Sequence, residues 1–177
     1  INNSFITGNY GQVFKEKDSA MVTHRALAIN LVELDSLFIH ADTLIATGPP
    51  ERRIIRGFYD VRIFKQDLSG KTDSIHFNQT SGRAKLIRRP ISDRDLQYLT
   101  PQEIADRNPI LWSEESQMTG DEIHLTIDNE KEVLDSLLIY NNAFVIEQDS
   151  LDAANFNQIK GLQLKGKFKG KSLETVD

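Results

Sequence analysis

Cysteine is absent from the 177-residue chain. That absence removes disulfides, thiol nucleophiles and zinc–thiolate sites together. No apolar stretch approaches the ~18 residues that a membrane-spanning helix needs. The sequence opens Ile1-Asn2-Asn3-Ser4, without the basic and apolar regions of a secretory leader. That start does not place the chain in the cytosol. An excess of positive charge is lacking too: the formal net charge is -5, which speaks against nucleic acid as a partner. There is no Gly-rich phosphate loop, no G-x-S-x-G elbow and no H-E-x-x-H pair. Serines and histidines occur, but nothing sets one beside another as nucleophile and base. The expectation is a protein that is not an enzyme and carries no cofactor.

The sequence does hold many short runs of Val, Ile, Phe, Leu and Thr. Gly, Asn, Asp and Ser clusters separate them, which is the pattern of strands and turns. Such runs cover Gln12 to Phe14, Ser36 to Leu44, Tyr59 to Phe64, Asp73 to Phe77, Asp121 to Ile127, Leu137 to Ile146 and Ile159 to Phe168. One segment differs. Ser92-Asp93-Arg94-Asp95 fits a helix start, and Thr100-Pro101-Gln102-Glu103 fits a better one, with Thr at the N-cap, Pro at N1 and Glu at N3. The spacing predicts one or two short helices within 92–108, inserted between strands.

Internal repetition is the most informative feature. Ala41-Asp42-Thr43-Leu44, Thr72-Asp73-Ser74-Ile75, Gly120-Asp121-Glu122-Ile123 and Gly161-Leu162-Gln163-Leu164 share one frame, and Thr23-His24-Arg25-Ala26 opens the series less clearly. A second unit aligns Tyr59 to Asp67 with Asn141 to Asp149, and Gly8 to Phe14 is a looser copy. The units alternate at irregular spacing, so strand pairs with loops of varied length fit better than a strict β-helix. Period-2 facing then puts Ala26, Leu44, Ile75, Ile123 and Leu164 in one interior column. Ala28, Ala46, Phe77, Leu125 and Gly166 form a second, with His76 and His124 facing outward.

Candidate chemistry is sparse. The Asp42, Asp73 and Asp121 column has the residue type for calcium or for acid–base work. The simpler reading is that each Asp shapes a turn. His24, His40, His76 and His124 lack an evident third partner for a metal. Arg52, Arg53 and Arg56, and also Arg83, Lys85, Arg88 and Arg89, could meet phosphates or merely protect sheet edges. Lys165, Lys167, Lys169 and Lys171 alternate on one face, most simply the wet one. Trp112 is the only tryptophan and the four tyrosines are scattered, so no exposed aromatic ladder is expected.

Several segments, in this order, resemble the OstA-like family, the LptA-related periplasmic lipopolysaccharide-transport proteins, in its Bacteroidetes form. They are Asp35 to Leu44, Ile55 to Phe64, Pro109 to Trp112, Gln117 to Asp121, and Asn141 to Phe144. The resemblance implies an all-β, repetitive antiparallel jellyroll shaped like a taco, with acyl chains held between its two sheets. It implies a single domain over 1–177, part of a longer chain. It also implies a periplasmic, outer-membrane-associated place, other envelope transport proteins as partners, and head-to-tail self-association. The family carries no catalytic residues. Leu44, Ile75, Phe77, Ile123, Leu125 and Leu164 are then the expected groove for lipopolysaccharide or a related glycolipid, with Arg52, Arg53 and Arg56 at its head group. Two other readings stand beside this one: a β-solenoid that binds or cleaves carbohydrate, and an assembly scaffold whose interior is filled core.

Overall fold

A computed structural model describes residues 3–31, 36–113, 116–128, 133–149, 152, 154–169 and 172–177. Asp35 and Lys171, named above, lie outside them. The alternating runs become thirteen strands. The first six are β1 (Asn3–Thr7), β2 (Tyr10–Phe14), β3 (Ser19–Leu31), β4 (Leu37–Thr47), β5 (Ile54–Lys65) and β6 (Leu68–Asn78). After β7 (Arg83–Ile87) come two helices, α1 (Asp93–Leu96) and α2 (Pro101–Ala105). The chain continues through β8 (Ile110–Ser113), β9 (Ser116–Thr119), β10 (Glu122–Asp128), β11 (Val133–Gln148), β12 (Phe156–Lys169) and β13 (Ser172–Val176). All pairings are antiparallel, and the main path runs β1-β3-β4-β5-β6-β7-β10-β11-β12-β13.

One crease crosses this sheet and divides it into two arms. On β3, β5 and β11 the strand carries two residues where its neighbour has one: His24-Arg25, Tyr59-Asp60 and Asn141-Asn142. All six have positive φ, between 45° and 64°. Such a two-for-one bulge sharpens the local twist and lets a strand pass from one sheet to another. The residues facing the doublets are Asp42, Asp73, Asp121 and Leu162. The two repeat units are therefore the two sides of the crease. Gly8-Asn9 is the same break between β1 and β2, with the Asn9 amide donating to the His24 carbonyl at 3.0 Å. A Cβ at Gly8 would collide with the Val22 side chain, and one at Gly120 with Ile139. These two glycines let neighbouring strands meet at the crease.

The crease corrects one expected column. Ala26 and Ala28 are buried, but they stand across the bend from Leu44, paired with Ala41 and Ile39. Val22 and Ala20 hold the positions beside Leu44 and Ala46. The extra residue of the His24-Arg25 doublet shifts the frame, so this segment belongs to the second repeat unit.

In the first arm, Leu44, Gly57, Ile75, Leu86, Ile123, Ile139 and Leu164 form one continuous cross-strand row. Beside it run Ala46, Ile55, Phe77, Ala84, Leu125, Leu137 and Gly166. In the second arm the facing row is Ile6, Ala28, Ile39, Ile63, Gly70, Leu111, Met118, Val145 and Ile159. Buried residues of both arms form one apolar cluster. Each fully buried Ile or Leu contributes ~1.5–3 kcal/mol, against ~0–1 kcal/mol for an exposed pair such as Arg62–Asp60. Burial of the inner faces therefore dominates.

The helical insertion falls where expected. The Thr100 side chain accepts from the Glu103 amide, and the Glu103 carboxylate accepts from the Thr100 amide at 2.7 Å, completing a capping box. The Thr100 amide and then the Thr100 hydroxyl, both donating to that carboxylate, hold it below its ordinary pKa. The insertion interrupts a single crossing: β7 pairs with the first-arm half of β6, and β8 with its second-arm half. Arg107 of the insertion meets the Asp73 carboxylate at 2.6 Å, Arg88 donates to Asn108, and the Arg89 guanidinium lies 4.1 Å from the Tyr59 ring centre. These contacts pin the segment over the crease.

Candidate functional site: the space between the two arms

The interior is lined by aliphatic side chains from successive strands. All six expected groove residues lie there. Leu44, Ile75, Ile123 and Leu164 occupy one row, and Phe77 and Leu125 the next. None is more than 5% exposed. Buried polar groups are few among the described residues, and they sit toward the crease or the rim. Thr72 and Ser74 bond the Ile87 carbonyl beside the crease. At the rim of the second arm, Lys65 and Asp67 pair at 2.9 Å, both nearly covered. The sequence reading missed this pair; its only signal was two opposite charges flanking a tight turn between strands.

The apolar lining surfaces at both ends of the ladder. Ile159, the last member of the second-arm row, is 43% exposed. At the other end Val13, paired with the inner-facing Ala20, is 70% exposed, whereas Phe5, Tyr10 and Phe156 are exposed on the outer face and Leu162 at the crease. Among the described residues, Phe156 to Gly161 of β12 has no strand on its outer side, and β1 and β2 have none on theirs. Unpaired backbone of this kind accepts a further strand.

The three arginines named from sequence do not converge. Arg53 is extended and continues the inner-facing alternation of Ile55 and Gly57, and its carbonyl accepts from the Gln79 amide. Its Nε is buried without a hydrogen-bond partner. Arg52 is exposed on the preceding 3-10 turn, and Arg56 lies on the outer face, donating to Thr47 at 3.1 Å.

The aspartates all stand at the crease. Asp73 accepts from Arg107 and from the Arg89 amide, Asp121 from Asn142, and Asp42 from Thr43. His24 sits in a doublet and bonds Thr23. His40 is on β4, apart from His76 and His124, which share an outer row on either side of Lys85. No group of three metal-ligating side chains forms among the described residues.

On the outer face of the second arm, an arrangement appears that the sequence reading did not expect. Phe38, Phe64, Ser69, Trp112 and Gln117 fall in one cross-strand row. The Phe38 and Phe64 rings are 6.2 Å apart, and the Trp112 indole donates to Gln117 at 2.9 Å. The scattered aromatics thus include one short exposed ladder. Strand pairing brings the row together from five strands, which is why spacing along the chain hides it.

No family profile matches the chain, and no curated sequence does. Among solved structures the fold is similar to that of LptH from Pseudomonas aeruginosa. That protein is described as the LptA-homologous periplasmic component of the conserved lipopolysaccharide transport device. The superposition has a TM-score of 0.56 and covers 89% of this chain and 94% of that one, at 8% identity. The chain therefore has an LptA-like β-jellyroll fold.

Proposed function

We propose that this protein binds lipopolysaccharide or a related glycolipid between its arms and passes it along an envelope bridge in the periplasm. The observation that carries the reading is the apolar inner row from Leu44 through Gly57, Ile75, Leu86, Ile123 and Ile139 to Leu164, facing a second-arm row whose last member, Ile159, is exposed. Burying acyl chains contributes about 0.8 kcal/mol per methylene, so a single chain entering between the arms outweighs several surface ion pairs. Arg53, whose Nε is buried without a hydrogen-bond partner, is the arginine proposed to meet a head-group phosphate at the inner rim. The bare edges of β12 and of β1 and β2 suit head-to-tail strand addition to further copies or to other transport components. The reading agrees with what LptH is described as doing.

The test is titration of the purified chain with fluorescent lipopolysaccharide. Saturable binding is expected, displaced by acylated lipid but not by the same saccharide stripped of its acyl chains. Displacement by the stripped saccharide would overturn the reading. A second reading, carbohydrate binding on the outer face of the second arm, is favoured by the Phe38–Phe64–Trp112 row. In that case Trp112→Ala would abolish saccharide binding and leave acyl binding intact.

A further inference from the structure

We infer that the outer face of the first arm, turned away from the space between the arms, is a binding site for a phosphate-bearing saccharide. Two adjacent outer rows build it. His76, Lys85, His124, Leu138 and Lys165 stand side by side on β6, β7, β10, β11 and β12. The next row contributes Asn78, Arg83, Thr126 and Ser136. Together they line an outward depression of about 520 Å³, within the range of small-ligand sites and larger than a lone phosphate ion requires.

Charge picks the ligand. Among the described residues, three permanent cations, Arg83, Lys85 and Lys165, and two imidazoles line the depression, and no carboxylate does. The whole chain has a net charge of -5, so this concentration of positive charge runs against the composition. Two described acids border it and both are engaged: Lys85 reaches Glu122 at 2.6 Å and His124 bonds the same oxygen, and Asp135 accepts from the Ser136 hydroxyl at 2.9 Å. Arg83 and Lys165 have no ion-pair partner among the described residues, and both are exposed. A phosphate dianion on such groups forms the stronger, charge-assisted kind of hydrogen bond. The Thr126 and Ser136 hydroxyls and the Asn78 amide supply the neutral donors and acceptors that sugar hydroxyls pair with.

Edge protection does not explain these cations. Lys and Arg guard edges, whereas β7, which carries Arg83 and Lys85, is paired on both sides, by β6 and β10. The field of the cluster is felt by its own members. Burial, then Arg56 and Lys85, hold the His76 imidazole below its ordinary pKa. Because the depression lies on the opposite face of the sheet from the apolar rows, its occupant is not held by acyl chains between the arms. The site stands on its own geometry, independent of the proposed lipid cargo.

The experiment follows backbone and histidine resonances of isotopically labelled protein during titration with glucose-1-phosphate, inorganic phosphate and glucose at matched ionic strength. Saturable shifts at His76, His124 and Lys165 are expected with the sugar phosphate, weaker ones with inorganic phosphate and none with glucose. The double variant Arg83→Ala/Lys165→Ala should lose at least tenfold in affinity while keeping the wild-type melting temperature, since both side chains are exposed. A parallel arm floats the protein with phosphatidylglycerol or phosphatidylcholine vesicles. Flotation with the anionic vesicles alone, lost in the double variant, would identify a lipid head group as the phosphate source. Binding of sugar phosphate without flotation would identify a free saccharide phosphate. Absence of saturable shifts with sugar phosphate and of flotation, or equal response to glucose, would overturn the inference. An unchanged affinity in the folded double variant would overturn it too. None of these outcomes depends on whether acyl chains enter between the arms.

Discussion

Ile123→Ala separates a lipid trough from a filled core. Ile123 is fully buried, and its cross-strand neighbours Leu86 and Ile139 are fully buried as well. The ladder holds both neighbours in place, so the site can collapse only partly when three carbons are removed. An Ile-to-Ala change in such a place costs about 2–5 kcal/mol. At about 2–4 °C per kcal/mol for a chain of this size, the melting temperature should fall by roughly 4–20 °C. If acyl chains lie against Ile123, the vacated space accepts about three more methylenes' worth of contact. At about 0.8 kcal/mol each that is roughly 2 kcal/mol, or more than tenfold in affinity. Saturating lipid should then restore part of the lost melting temperature. Phe77→Trp, which narrows the same space, should weaken binding instead. Thermal melts by circular dichroism, with and without lipopolysaccharide, and titration with fluorescent lipopolysaccharide read both effects. The reasoning fails if both variants fold and neither changes affinity. The interior would then be filled core.

Three other outcomes follow from the crease, the ionisable groups and the edges. Arg25 sits at a φ of 64°, where a side chain other than Asn or Asp costs roughly 1–2 kcal/mol, so Arg25→Asn should raise the melting temperature by a few degrees. Acid should destabilise the fold in two windows. His76 has a lowered pKa, so the unfolded chain binds its proton more readily, and stability present above about 6.5 declines as pH falls through the folded value. Glu122 acts further down. Burial raises its pKa, but the hydrogen bonds and charges of Lys85 and His124 outweigh that and leave it lowered. Its contribution is therefore present above the ordinary carboxylate value and lost below it. In melts across pH, His76→Asn should flatten the upper window and Glu122→Gln the lower, both modestly, because His76 is exposed and Glu122 only partly covered, so solvent screens both. Ile159→Lys places a charge on the uncovered end of the second-arm row. It should reduce self-association in light scattering across a concentration series, and unchanged association would exclude that end as the joining surface.

Much of the interior was legible because it follows from period 2. The frame shared by Leu44, Ile75, Ile123 and Leu164 is one physical row, and its missing members, Gly57, Leu86 and Ile139, lie on intervening strands that repeat a different pattern. The Thr100 capping box was legible because a helix start is local. The crease was only half legible. Asn141-Asn142 advertises positive φ, since Asn tolerates it. His24-Arg25 and Tyr59-Asp60 adopt the same conformation with only one tolerant residue in each pair, a weaker signal, and for that reason Ala26 was expected in the wrong arm. The outer sites were not legible. Lys85, His124 and Lys165 join one row only through three pairings, with Leu138 between the last two, and Phe64 and Trp112 flank Ser69 only through another two. No spacing along the chain encodes such a row until the order of strands is known.

The central claim is that acyl chains enter between the arms, and one matched pair of substitutions tests it most directly. Phe77 faces the interior at 4% exposure, and Phe64 faces outward at 59%. Replacing each in turn with the photoreactive p-benzoylphenylalanine makes the same chemical change on opposite sides of the sheet. After illumination with lipopolysaccharide, the account expects a covalent adduct from position 77, lost when acylated lipid competes, and little from position 64. An adduct from position 64 alone, with the protein carrying the probe at 77 folded and unlabelled, would contradict it.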